Sequence, residues 1–168
     1  MKVLPEPIAV RLKEGETNIA DKYPEVSVLF SDIVGFTMLA ERSSPEYLVE
    51  LLNKIFSHFD ALAETLHLEK MKTIGDAYMV VGGLPIQRPD HAEAIANMAI
   101  GMLKEISTFN KENGSDLSIR IGIHSGPVIA GVIGVHKYAY DLWGSTVNIA
   151  SRMESHGVSG RIQISRSE

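Results

Sequence analysis

The sequence predicts an α+β fold: a ferredoxin-like βαββαβ antiparallel sandwich with an added hairpin arm, helix and strand. Three observations predict it. The apolar, β-branched run Val26–Ser31 precedes a long helical pattern. Two short extended runs around Gly75-Asp76 separate that pattern from a second helical one. The alternating run Leu117–His124 follows the second helix. No internal repeat or low-complexity tract interrupts the order.

Met1 to Pro24 is punctuated by Pro5, Pro7, Gly15 and Pro24, and holds one short helix at most. It reads equally as a flexible tail or as a lead-in from an upstream regulatory or membrane module. The domain proper is therefore placed at residues 25–168. Val26 to Ser31 is the first strand, and Phe36 to Glu41 makes a helical turn. Ser44 followed by Pro45 and Glu46 marks a helix start. From there Leu48, Leu51, Leu52, Ile55, Phe56, Phe59, Leu62, Ala63 and Leu66 recur at three-and-four spacing, an amphipathic helix with a wide apolar face. Leu68–Ile74 and Ala77–Val81 form a hairpin with Gly75-Asp76 in the tight turn. A second helix runs from about Pro89 to Asn113, with Ala94, Ile95, Met98, Ala99, Met102, Leu103 and Ile106 inward and Gly114 closing it.

Leu117–His124 is expected to end at a turn, Ser125-Gly126-Pro127, with Val128–Val135 and Tyr138–Trp143 as a separate hairpin. The glycines of the first of these runs permit close backbone approach by something else, a partner or a ligand. Gly144-Ser145-Thr146 opens a third helix, through about Ser155, Gly157 ends it, and Arg161–Ile164 is a last strand.

Composition excludes several function classes. The 168 residues suit one domain with a sizeable core. The net charge is −5 with the acids scattered, which argues against a nucleic-acid surface. There is no cysteine, so disulfides and thiolate metal sites are ruled out. No apolar run approaches the ~20 residues of a membrane span, and no signal peptide is seen. The expectation is a cytoplasmic chain without membrane contact of its own.

Three pairs of residues are candidates for chemistry. Asp32 closes the first strand ahead of Gly35 and Thr37, and reads either as a helix cap or as a cation ligand beside phosphate-binding amides. In a ferredoxin-like sheet Asp76 would face it. Two carboxylates without a basic neighbour repel and call for protons or cations, and a pair of Mg²⁺ ions would satisfy them. Asp76 alone reads as ordinary turn chemistry. Asn148 and Arg152, four apart, share a helix face that suits a sugar oxygen and a phosphate, or is simply exposed. Lys72 and Asp141 offer one donor and one acceptor. They match adenine and mismatch guanine, or form an ion pair of no further consequence.

Four segments carry these pairs: Phe30–Thr37, Lys70–Met79, Ile121–Val128 and Tyr140–Met153. Together, and in this order, they strongly resemble the class III adenylyl and guanylyl cyclase catalytic domain, from Pro24 to the end. The resemblance implies that Asp32, Asp76 and the carbonyl of Ile33 bind two Mg²⁺, with Mn²⁺ able to substitute. It implies that the amides of Val34, Gly35, Phe36 and Thr37 receive the β- and γ-phosphates of ATP. Lys72 and Asp141 match the base-reading positions in their adenine version; guanosine-using members typically carry glutamate and cysteine there. Asn148 would orient the ribose and Arg152 would stabilise the transition state. The sites of such enzymes are composite, so a homodimer is implied, with the Val128–Trp143 region as the arm that reaches the partner. The implied activity is adenylate cyclase, making cyclic AMP for intracellular signalling. The alternatives are a guanylyl or dual-specificity cyclase, or a non-catalytic nucleotide-binding dimerisation module. The domains it resembles continue past the position of Glu168, so the chain reads as short at its C-terminus.

Overall fold

A computed structural model describes residues 4–134 and 137–165. Its elements are α1 (Glu6–Lys13), β1 (Ala20–Ile33), α2 (Phe36–Arg42), α3 (Pro45–Thr65), β2 (Glu69–Ile74), β3 (Ala77–Gly82), α4 (His91–Asn113), β4 (Ile119–Ile133), β5 (Ala139–Trp143), α5 (Ser145–Ser155) and β6 (Ile162–Ile164). The strands run β2-β3-β1-β4-β5, every neighbour antiparallel, and β6 joins β4 in parallel. The βαββαβ core and its additions are as expected. Val135, read as the end of an extended run, lies outside the described residues.

Helix ends follow their local chemistry. The Ser44 hydroxyl accepts from the amide of Tyr47 at 3.2 Å, with Pro45 opening α3. Gly114 closes α4 in the left-handed region, φ 61°. These two helices cover one face of the sheet. Leu51, Ile55 and Phe59 of α3 meet Ile95, Met98 and Met102 of α4 and, from the strands, Leu29, Tyr78, Val80, Ile121 and Ile123.

The other face holds a second core of different make-up. Val26, Val28, Met71, Met79 and Val81 lie beneath Val128, Ala130, Tyr140 and Leu142, with Ala150 of α5 and Ile8 of α1 sealing it. The lead-in thus contributes a side chain that is 1% exposed, and β1 begins at Ala20 rather than Val26. Strand alternation beyond Val26 puts Asp32 on this second face.

The expected turn at Ser125-Gly126-Pro127 is absent: β4 is one continuous strand. The reason is in the register. Tyr23 pairs with Val128 and Val26 with Gly126, so Pro24 and Glu25 oppose Pro127 alone. Both prolines, which lack an N–H, sit at a bulge where the ladder is interrupted. The strands bend there instead of ending. The glycines of this region also find their close approach within the chain. A Cβ at Gly131 would stand 2.5 Å from the Ile19 carbonyl oxygen.

Candidate active site

The acidic end of the site lies where β1 leaves the sheet. Asp76 occupies the β2–β3 turn beside Gly75, whose φ of 59° suits the first position of a type II′ hairpin turn. Its Oδ2 accepts from the amide of Ile33 at 2.9 Å, which brings it to the residue next to Asp32. The two aspartates therefore meet as expected. The absence of a basic neighbour does not hold. Arg120, directly opposite Asp32 on β4, donates from Nε to Oδ1 at 3.2 Å and from Nη2 to Oδ2 at 2.8 Å. This planar fork satisfies the carboxylate without a proton.

A second residue missed in the sequence is Glu154 of α5, whose side chain is buried beside this pair, its Oε2 3.4 Å from Arg120 Nη2. Burial and then the Asp32 charge push the Glu154 carboxyl up to about 7. One signal could have found it. Thr146, Ala150 and Glu154 are the buried residues of α5, at i, i+4 and i+8, so an acid interrupts the inward stripe. The close packing of α5 has its own mark in β4: a Cβ on Gly122 would lie 2.0 Å from the Glu154 amide nitrogen.

The turn after β1 differs in one respect from expectation. Gly35 caps α2 with φ 73°, and Phe36 and Thr37 lie in its first turn, where amides have no intrahelical acceptor. The Val34 amide is already used: it donates to the Ser118 carbonyl at 2.8 Å.

Lys72 and Asp141 come from the two outer strands of the sheet path, yet Lys72 Nζ donates to Asp141 Oδ2 at 2.9 Å. Two irregularities achieve this. The Pro24/Pro127 bend folds β4 and β5 back over the second face. A bulge in β2 pairs Lys70 with Val80 and Lys72 with Met79, leaving Met71 as the extra residue. Simple alternation would put Lys72 on the same face as Lys70; the bulge turns it to the other. The pair is partly exposed, with side chains 41% and 25% accessible, and contributes at most about 1 kcal/mol to stability.

Asn148 and Arg152 project from the exposed side of α5, one turn apart. Among the described residues, no hydrogen bond or ion pair connects either to Asp32 or Asp76. One chain thus presents two half-sites: paired aspartates at a strand end, and a donor–acceptor pair with an exposed amide and guanidinium.

Comparisons with known proteins identify the family. The model of the adenylate and guanylate cyclase catalytic domain matches residues 19–168. An adenylate cyclase of Mycobacterium tuberculosis H37Rv is 49% identical over 163 residues, which are 96% of this chain and 37% of that protein. The chain therefore spans little more than a third of that relative's length. The solved catalytic core of a rhodopsin-guanylyl cyclase with converted specificity, in complex with ATPαS, superposes with a TM-score of 0.84 at 46% identity, covering 88% of this chain and 80% of that one. The adenylyl cyclase CyaB from P. aeruginosa gives a TM-score of 0.83 at 32% identity, with 88% and 79% coverage. With the family model, the sequence identities and the superposed folds in agreement along nearly the whole chain, this protein belongs to the family of adenylate and guanylate cyclase catalytic domains.

Proposed function

We propose that this chain is the catalytic domain of an adenylyl cyclase, converting ATP to 3′,5′-cyclic AMP and pyrophosphate for intracellular signalling. The observation that carries the reading is the Lys72–Asp141 pair, held at 2.9 Å on strands that only the bent sheet brings together. Lys72 donates to the adenine ring N1 and Asp141 accepts from the 6-amino group. Guanine presents the reverse at both positions and leaves both charges unmatched, a loss of about 1–3 kcal/mol per unsatisfied group.

Asp32, Asp76 and the Ile33 carbonyl are the ligands for two Mg²⁺, with Mn²⁺ as a substitute. The donors are hard oxygens of the kind Mg²⁺ takes, and an ion at Asp32 would share that carboxylate with Arg120 or displace it. Among the described residues no three acidic, histidine or cysteine side chains form a complete cage. Mg²⁺ suits such a site, since it is commonly held by one or two carboxylates together with substrate phosphates. When bound, the ions supply charge for the departing pyrophosphate and a more acidic ribose 3′-hydroxyl. The chain's own residues do the rest. The amides of Gly35, Phe36 and Thr37 receive phosphate oxygens, Asn148 holds the ribose, and Arg152 meets charge growing at the α-phosphate. The 3′-oxygen bonds to the α-phosphorus as its proton passes to solvent water, and the bond from the α-phosphorus to the bridging oxygen breaks in line, that oxygen and its electron pair leaving with the pyrophosphate.

The two half-sites are completed across a homodimer, the aspartates from one protomer and Lys72, Asp141, Asn148 and Arg152 from its partner. Exposure of Asn148 and Arg152 supports this. Among the described residues no helix is long and apolar enough to cross a membrane, and a cytoplasmic location for the domain accords with ATP as substrate.

The test is complementation. Asp32→Ala and Arg152→Ala chains, each inactive alone, are mixed and assayed for cyclic AMP from ATP across a concentration series. Recovered activity that rises with concentration supports a shared site. No recovery, with an active wild type, overturns the composite arrangement. Product from GTP and none from ATP overturns the base assignment.

A further inference from the structure

The β2–β3 hairpin carries Lys72 on one arm and Asp76 at its tip, two residues with different tasks in the proposed site. The tip has little around it: Ile74 is 62% exposed. A segment so placed frays unless its base is held. The hold is visible on the helix face. Tyr78, the second residue after Asp76, is fully buried and donates its hydroxyl to Asp60 Oδ1 of α3 at 2.7 Å. Lys70, the second residue before Lys72, donates to Asp60 Oδ2 at 3.1 Å. The Lys70 ammonium also stands 5.5 Å from the centre of the Tyr78 ring, which packs against Phe56 and, edge-on, against Phe59. One carboxylate thus gives one oxygen to each arm of the hairpin. Burial first, then Asp60, raises the Tyr78 phenol far above its usual range, so it stays a donor.

We infer that Asp60 is a positioning residue that pins both arms of the hairpin to α3 and so sets the place of Asp76 and of Lys72 together. The inference deepens the proposed function and rests on it for the roles of those two residues. Asp60 touches neither nucleotide nor cation. It acts through Tyr78 and Lys70, from the face of the sheet opposite Lys72. The Met71 bulge completes the device: it lets Lys70 and Lys72, two positions apart, face opposite sides, one for anchoring and one for reading.

The test uses the whole chain with Asp60→Ala, Asp60→Asn and Tyr78→Phe, and three readouts. In Asp60→Ala, amide hydrogen exchange across residues 72–77 of the metal-free protein rises at least about tenfold, while α4 keeps its protection. Calorimetric Mn²⁺ affinity falls about tenfold, as for loss of a supporting partner. The kcat/KM for ATP falls about 10²-fold and the ATP-to-GTP ratio falls with it, as expected for misplaced groups. Asp60→Asn, which keeps an acceptor for Tyr78, lies between wild type and Asp60→Ala in all three. Unchanged exchange at 72–77 with unchanged Mn²⁺ affinity in Asp60→Ala overturns the inference, whatever the melting temperature does. Raised exchange in a protein whose wild type binds neither Mn²⁺ nor nucleotide upholds the pin and overturns the proposed function instead. If Asp60→Ala does not fold, Tyr78→Phe decides. It keeps the ring between Phe56 and Phe59, and a rise of about threefold in exchange at 72–77 supports the pin, while no rise overturns it.

Discussion

The two faces of the sheet are built by different means. On the helix-covered face, α3 and α4 bring long apolar side chains at regular spacing onto Leu29, Val80, Ile121 and Ile123. On the other face the cover is improvised from a bent strand pair, a short terminal helix and α5. The first face is the stable floor, where periodic burial does the work. The second holds Asp32 with Arg120, placed by ordinary alternation and register, and the two residues whose position depends on irregularity: Lys72 turned by a bulge and Asp141 carried over by a bend. Regular structure supplies stability here, and departures from regularity aim the side chains.

Four substitutions sharpen or break that contrast. Asp32→Ala should have the largest effect, a loss of cyclic AMP formation of more than ~10³-fold in steady-state assay, from several kcal/mol of lost charge stabilisation. Its circular dichroism and melting should stay close to wild type. A collapse of the fold would mean that the Asp32–Arg120 pair is part of the floor. Met102→Ala is the converse. This fully buried α4 residue should cost about 2–5 kcal/mol in denaturant unfolding while kcat per folded molecule holds. Gly122→Ala couples the faces. A methyl group there meets the α5 backbone, so unfolding should lose about 1–3 kcal/mol and turnover should fall as Arg152 shifts. Ser44→Ala, far from any irregular element, should cost about 1 kcal/mol of stability and leave activity alone.

The regular half was readable in the sequence because its signals are local. Ser44-Pro45 starts α3, Gly114 ends α4, and the apolar spacing between them names the buried face. The Gly75-Asp76 turn was equally plain. Pro127 misled because a Ser-Gly-Pro sequence reads as a turn when its partner strand is unknown. Only the pairing with Pro24 and Glu25 makes it a bulge in a continuous strand. Arg120 was hidden for the same reason. Nothing within its own segment distinguishes an arginine facing water from one lying across a ladder from an aspartate 88 positions earlier. The Asp32–Asp76 pair came from the expected sheet topology and the Lys72–Asp141 pair from donor and acceptor chemistry; the structure puts Asp76 on the amide of Ile33, next to Asp32, and joins Lys72 to Asp141. Val34 could not be separated from its neighbours, since which amide is spent on Ser118 is decided by β4.

The bent sheet has one more consequence, for solubility. Strands β2 and β5 end its main path, with β6 a third outer strand beside β4, and such edges invite pairing with another molecule. Here each end of that path carries one charge of the Lys72–Asp141 pair, and lysine on an edge strand is a common guard against sheet-to-sheet stacking. The bend sets these charges against each other on one chain, so β2 and β5 each carry a charged warden. A double change to apolar residues would then do more than blur the reading of a base. It would leave both of these margins free to recruit copies of themselves.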